Sequence, residues 1–183
     1  MRKIKALILD RDGTLIEHVP YLHDPSLIRV LPGVRDGLRA ALDAGLVLYL
    51  HTNQSGVGRG MFSLVQAEAC NVRLIELLNL GKAPFARICL APEAPETPAV
   101  YRKPSPRFAH EIMAERGYAA GELCYVGDRG SDIETARAAG TRAVGVATGL
   151  DDLASELRAA GLLSYPIFPS FREAIDHVLS IYV

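Results

Sequence analysis

Five short runs of Ile, Leu and Val, at residues 4–9, 46–50, 87–90, 123–126 and 143–146, are each too short for a helix and are mostly unbroken by polar residues. That is the pattern of strands buried on both faces. Between them lie stretches with helical periodicity, residues 34–44, 63–80, 106–116, 132–139 and 153–160, several of them closed by Gly45, Gly81, Gly117, Gly140 or Gly161. Strict alternation of this kind leaves few topologies open, because parallel neighbours need crossover connections and crossovers are right-handed. It predicts an α/β fold, Rossmann-like and doubly wound, with a mainly parallel sheet and helices on both faces. Residues 166–169 read as a short edge strand and 170–179 as a terminal helix capped by Ser170.

Two stretches interrupt the rhythm. Residues 17–32 contain His18, Pro20, Tyr21, His23, Asp24 and Pro25, and read as a loop over the carboxyl end of the first strand. Residues 92–104 carry proline at 92, 95, 98 and 104 and are too short for a cap domain. With no repeat and no linker, residues 1–183 are expected to form one domain without a large cap.

Composition narrows the class of partner. Twenty Lys and Arg against 21 Asp and Glu give a net charge of −1, too even for a dedicated nucleic-acid or membrane-surface protein. Cys70, Cys89 and Cys124 are odd in number and far apart, which fits a reducing compartment, expected to be the cytoplasm, and excludes a disulfide framework. The basic start Met1-Arg2-Lys3 is followed by an apolar stretch that stops at Asp10, too short for a signal peptide. The run at 45–50 is far below the ~20 residues of a membrane-spanning helix. A monomer is expected.

In an open parallel sheet, ligands bind outside the carboxyl ends of the strands. The residues at those positions are Asp10-Arg11-Asp12-Gly13-Thr14, Thr52-Asn53-Gln54-Ser55-Gly56, Arg102-Lys103-Pro104 and Gly127-Asp128-Arg129-Gly130-Ser131-Asp132. Asp10 and Asp12 repel each other unless a cation or a shared proton intervenes. Oxygen ligands from Asp10, Asp128 and a backbone carbonyl suit Mg²⁺, with water and phosphate at the remaining positions. Lys103 then serves as a point charge for phosphate, while Thr52 and the amides near Asn53 donate to phosphoryl oxygens. A carboxylate so placed can attack phosphorus and form an aspartyl phosphate, and Asp12 is spaced to protonate the leaving alkoxide and later activate water. His51, at a strand end, reads as a packed, hydrogen-bonded residue rather than a base. His110 and His177 read as surface residues, and Phe62, Phe85, Phe108 and Tyr125 as core.

Taken in order, these segments resemble the four motifs of the haloacid dehalogenase (HAD) superfamily of phosphohydrolases, over about three quarters of the chain. Within it, the Asp-Arg-Asp-Gly-Thr start, the run Thr-Asn-Gln-Ser-Gly-Val-Gly-Arg-Gly from Thr52 to Gly60 and the Arg-Lys-Pro triplet resemble the heptose 1,7-bisphosphate 7-phosphatase branch, a supplier of lipopolysaccharide precursors, with histidinol-phosphate phosphatase as a relative. The resemblance implies Asp10 as nucleophile, Asp12 as general acid and base, Thr52 and Lys103 as phosphoryl stabilisers, and Asp10, the Asp12 carbonyl and Asp128 as Mg²⁺ ligands, with Asp132 in the outer sphere. It also implies a substrate site lined by His18, Tyr21, Asn53, Gln54, Ser55, Arg102 and Arg129; with Arg59, the arginines favour an anionic substrate, a small phosphorylated metabolite.

One departure stands out. Members of this branch commonly carry Cys-x-His and Cys-x-Cys pairs before Arg-Lys-Pro, but here the segment reads Ala91-Pro92-Glu93-Ala94 and Ala99-Val100-Tyr101, so no Zn²⁺ is expected. Alternatives of another class are a receiver-like switch and a phospho-ligand binding protein without turnover. A receiver carries its phospho-accepting Asp after a middle strand, whereas the acid pair here follows the first, and Asp12 supplies a hydrolytic group that long-lived phosphorylation must avoid.

Overall fold

A computed structural model describes residues 3–182; Met1 and Arg2, part of the basic start noted above, lie outside them. Six strands, β1 (Ala6–Leu9), β2 (Val47–Asn53), β3 (Phe85–Ala91), β4 (Leu123–Gly127), β5 (Arg142–Val146) and β6 (Ile167–Phe168), form one parallel sheet. The spatial order is β3-β2-β1-β4-β5-β6. The chain steps outward from β1 to β3, crosses back and continues on the other side of β1, so the direction of winding reverses between β1 and β4. That order differs from the 2-1-3-4-5 arrangement of receiver domains.

Side-chain alternation in the strands sorts the core into two layers. Leu7, Leu9, Leu48, Leu50, Cys124 and Val126 point to one face, where α1 (Val34–Asp43), α3 (Leu64–Leu78) and α7 (Phe171–Tyr182) cover them. Ala6, Ile8, Tyr49, Leu123 and Tyr125 point to the other, under α4 (Arg107–Arg116), α5 (Gly130–Ala139) and α6 (Leu153–Ala159). Burial on both faces is why these strands read as unbroken apolar runs. Among the described residues, no helix is long and apolar enough to cross a membrane.

Differences from the expectation are local. Helix α3 stops at Asn79, itself left-handed at φ 49°, before Gly81 is reached. A four-residue helix, α2 (Ser55–Gly58), occupies the stretch after β2. The 17–32 loop contains a 3-10 turn at Pro25–Leu27, capped by Asp24, and is pinned to the start of the chain by a bridge between Ile16 and Val30. The 92–104 segment forms no regular element, as expected. His110 is exposed, but His177 is half-buried against the Phe168 ring, because its helix packs beside β6.

Helix α3 is nucleated by its own sequence: Ser63 Oγ accepts from Gln66 N at 3.2 Å, and the Gln66 side chain accepts from Ser63 N at 2.9 Å. Ser63→Ala is therefore expected to lower stability by about 1 kcal/mol, read as a lower urea midpoint with an unchanged m-value. An unmoved midpoint would mean that packing alone holds this helix.

Candidate active site

Strand β1 ends at Leu9, and Asp10 N donates to Val126 O at 2.9 Å, so Asp10 sits where β1 and β4 begin to diverge. Lys103 Nζ lies between two carboxylates, 2.6 Å from Asp10 Oδ1 and 2.5 Å from Asp132 Oδ1. All three side chains are buried. Burial works against the lysine charge, yet Asp10 and Asp132 outweigh it and hold the ammonium above the ordinary lysine range. The backbone of Lys103 is clasped by Asn53: Lys103 N donates to Asn53 Oδ1 at 2.9 Å, and Asn53 Nδ2 donates to Lys103 O at 3.3 Å. Asp132 in turn accepts from Arg129 N at 3.1 Å, which fixes it on the first turn of α5.

Asp128 completes the group. Each of Asp10, Asp128 and Asp132 offers a carboxylate oxygen, and these oxygens all lie within 4.8 Å of one another. Burial and then the charges of Asp10 and Asp132 push the Asp128 carboxyl up to about 9, and burial pushes Asp132 up to about 6. Ionising all three acids needs more positive charge than the one ammonium supplies, and the donors are all hard oxygens. That donor set fits a cation such as Mg²⁺. Asp132, expected in the outer sphere, belongs to this group and also accepts from the Lys103 ammonium through its Oδ1. The Asp12 carboxylate turns away from this group: Arg11 Nε and Nη2 donate to it at 3.1 and 3.2 Å, Gln54 Nε2 at 3.0 Å and Thr52 Oγ1 at 3.3 Å.

Several residues behind this arrangement escaped sequence reasoning. Arg11 is fully buried and is held by Asn71 Oδ1 of α3 at 2.8 Å. Thr14 Oγ1 donates to Asp128 Oδ1 at 2.8 Å, and Thr148 Oγ1 donates to Gly13 O at 2.6 Å. A Cβ at Gly13 or at Gly149 would overlap the Asp128 carboxylate, so both backbones wall it in. Gly13 carries a visible signal in the Asp-Gly-Thr turn; Gly149 lies after β5, in a segment with no motif.

Above the acids opens a cleft of about 470 Å³. His18, Tyr21, Asn53, Gln54, Ser55, Arg102 and Arg129 line it, together with Asp10, Asp12 and Lys103. Phe62, expected in the core, is buried but also lines the cleft, as do Leu22 and Ser131. Arg59 is not part of the wall: it stands on the rim, donating to Tyr21 Oη at 2.8 Å and to Glu96 Oε1 at 3.1 Å, because those two partners reach it first. Thr52 lies fully buried beneath the cleft, its Oγ1 donating to Asp12 Oδ2 at 3.3 Å and accepting from Gln54 Nε2 at 2.8 Å. His51 bridges Tyr125 Oη at 3.2 Å and Tyr101 O at 2.9 Å, and burial lowers it to about 3, so it stays neutral. His18 Nδ1 and Arg102 Nε are buried without a partner among the described residues.

Comparison with known proteins agrees with this geometry. A family model described as HAD-hydrolase-like matches residues 100–174, which include Lys103, Asp128 and Asp132. The D-glycero-beta-D-manno-heptose-1,7-bisphosphate 7-phosphatase of Pseudomonas putida is 32% identical over 147 residues, 80% of this chain and 84% of that protein. The chain belongs to the HAD-like hydrolases. The histidine biosynthesis bifunctional protein HisB of Legionella pneumophila is 30% identical over 134 residues, 72% of this chain but 38% of that protein. Among solved structures, a D,D-heptose 1,7-bisphosphate phosphatase from B. bronchiseptica, complexed with magnesium and phosphate, superimposes with a TM-score of 0.86 at 25% identity, covering 97% of this chain and 99% of its own. This HAD hydrolase is thus a phosphatase, a phosphoric monoester hydrolase.

Gly149 provides a test of the Asp128 cradle. Gly149→Ala forces the carboxylate or the 147–150 backbone to move and is expected to cost about 1–3 kcal/mol of stability, as overpacking does, and to lower turnover more than about tenfold, since small misplacements at a reacting centre carry that cost. Wild-type turnover in this variant would remove Asp128 from the reacting group.

Proposed function

We propose that the chain is a Mg²⁺-dependent, single-domain enzyme that removes the 7-phosphate of D-glycero-D-manno-heptose 1,7-bisphosphate through an aspartyl phosphate. The observation that carries this reading is the Lys103 ammonium held 2.6 Å from the Asp10 carboxylate at the floor of a cleft. It marks one place where a carboxylate and a fixed positive charge face the same phosphoryl group. Asp10 forms the bond to phosphorus as the bond from phosphorus to the sugar oxygen breaks, and Asp12 gives that oxygen its proton. Asp12 then takes a proton from the water that attacks phosphorus, releasing phosphate and restoring Asp10.

In the arrangement described, Arg11, Gln54 and Thr52 all donate to Asp12. That favours its carboxylate, the form needed for the second step; donating to the leaving group requires the carboxyl to turn from Arg11 toward the cleft. Lys103 stays ammonium throughout and balances the phosphoryl oxygens. Asp10, Asp128 and Asp132, with the Asp12 carbonyl, are the residues placed to hold Mg²⁺, which when bound supplies charge neutralisation at the phosphoryl oxygens.

Arg102 and Arg129 on the wall favour a substrate with a second anion. The HisB relative supports histidinol phosphate as a second reading, but its ammonium would meet these cations. Three buried, free thiols suit the reducing cytoplasm.

Steady-state phosphate release with Mg²⁺ from the heptose bisphosphate, histidinol phosphate, other sugar phosphates and p-nitrophenyl phosphate tests the assignment. Preference for the bisphosphate is expected; preference for histidinol phosphate would reverse it. Asp10→Asn is expected to lower turnover at least about thousandfold, and retained turnover would exclude the aspartyl phosphate. Mg²⁺ at a hundred times its Kd is expected to stabilise the wild type by about 2.7 kcal/mol, seen as a raised Tm. Asp128→Asn should abolish that rise without lowering the metal-free Tm, because burial and the neighbouring acids already hold the metal-free Asp128 carboxyl protonated, so the amide removes no charge.

A further inference from the structure

We infer that Glu93 is a positioning residue that fixes Arg102 at the cleft wall. The loop from Glu93 to Lys103 leaves the end of β3 and returns to the site with little regular structure, and residues 95–100 are exposed. Arg59 reaches Glu96 and Ser105 Oγ donates to Val100 O, but Glu93 is the side chain that joins the two ends of the loop through backbone amides. Glu93 Oε1 accepts from Tyr101 N at 2.6 Å and from Val100 N at 3.1 Å, so a carboxylate at the start of the loop captures two successive amides at its end. Such charge-assisted bonds to backbone N–H groups are the stronger kind.

The captured residue is itself the last fixed point before Arg102. Tyr101 is held by its N–H on Glu93, by its carbonyl on His51 Nε2 at 2.9 Å and by its hydroxyl, which donates to Glu111 Oε1 at 2.8 Å. Arg102 has much less. Its guanidinium donates to Pro95 O at 3.3 Å, an atom within the loop that Glu93 closes, and its Nε has no partner among the described residues. The position of this guanidinium therefore depends on the loop. Lys103 does not depend on it in the same way, since Asn53, Asp10 and Asp132 hold it from β2, β1 and α5. Loosening the loop should move Arg102 and spare Lys103, so the loss falls on KM and not on kcat.

This inference rests on the reading above in which Arg102 meets the part of the substrate beyond the reacting phosphate. Kinetics on the heptose bisphosphate and on p-nitrophenyl phosphate separate the two. With the bisphosphate, Glu93→Ala is expected to raise KM about tenfold, the size of one charged contact, with kcat changed less than about twofold. Arg102→Ala should do the same, and the double variant should add little to either, as expected of residues acting in series. Glu93→Gln, which keeps the accepting oxygen, should restore the wild-type KM, and with p-nitrophenyl phosphate Glu93→Ala and Glu93→Gln should match the wild type.

A substrate-independent measurement accompanies this. Trypsin cleavage after Arg102 in the folded enzyme should accelerate about tenfold in Glu93→Ala, through easier local opening, and not in Glu93→Gln. If the wild type shows no preference for the bisphosphate but cleavage accelerates as described, the substrate reading fails and the positioning role stands. If KM, its additivity with Arg102→Ala, or the cleavage rate is unmoved in Glu93→Ala, the inference is overturned.

Discussion

The ammonium of Lys103, set between the carboxylates of Asp10 and Asp132, is the contact on which the rest of the site depends. Taking charges out of water is costly, and removing one member of a buried pair leaves the others uncompensated. Here the three groups come from three distant parts of the chain: the end of β1, the segment before α4 and the first turn of α5. Their mutual need ties those parts to one point. The same geometry sets the Asp10 carboxylate and a positive charge at the floor of one cleft, so the interaction that organises the site is also the one on which the proposed chemistry rests.

That arrangement is possible because the sheet reverses its winding between β1 and β4. A crevice opens there between strand ends, and backbone groups no longer engaged in the ladder face it. Asp10 leaves the ladder one residue after Leu9, and Asp128 leaves it just after Gly127. Burial, and after it the neighbouring acidic charge, raises the Asp128 and Asp132 carboxyls above their ordinary range, a local strain that the two apolar layers on either side of the sheet offset. The acids are thus prearranged for a cation and a phosphoryl group rather than for the stability of the empty protein.

Much of this was legible in the chain because burial on both faces writes a strand as an apolar run, and the residue after such a run is the residue at the crevice. Asp10 and Asp128 follow from that rule; Lys103 reaches the crevice along the loop after β3, which ends at Ala91, and Thr52 lies within β2, buried. What it missed had no local signature. Asn71 lies on the buried face of α3 and reads as an ordinary helix residue, yet it orients Arg11 and through it Asp12. Gly149 matters only because Asp128, far away in sequence, packs on it. Arg59 was assigned to the cleft by its charge, but a charge within reach of Glu96 and the Tyr21 hydroxyl is claimed by them. Helix α3 ran past its true end on paper because Asn, like Gly, accepts the left-handed conformation that stops a helix.

The two cations of the Arg-Lys-Pro triplet are adjacent in sequence but differ in what holds them. Lys103 is built into the core, so its position is as firm as that of the sheet. Arg102 rides on a loop that lacks the Cys and His pairs common in the branch this chain resembles, and that one carboxylate closes through two amides. A tetrahedral metal fixes four side chains at once; Glu93 fixes two residues and leaves the 95–100 segment exposed. Phosphoryl chemistry and substrate choice therefore have separate supports in this fold. Changes in the loop can alter which phosphosugar is preferred while the reacting centre, anchored elsewhere, stays intact.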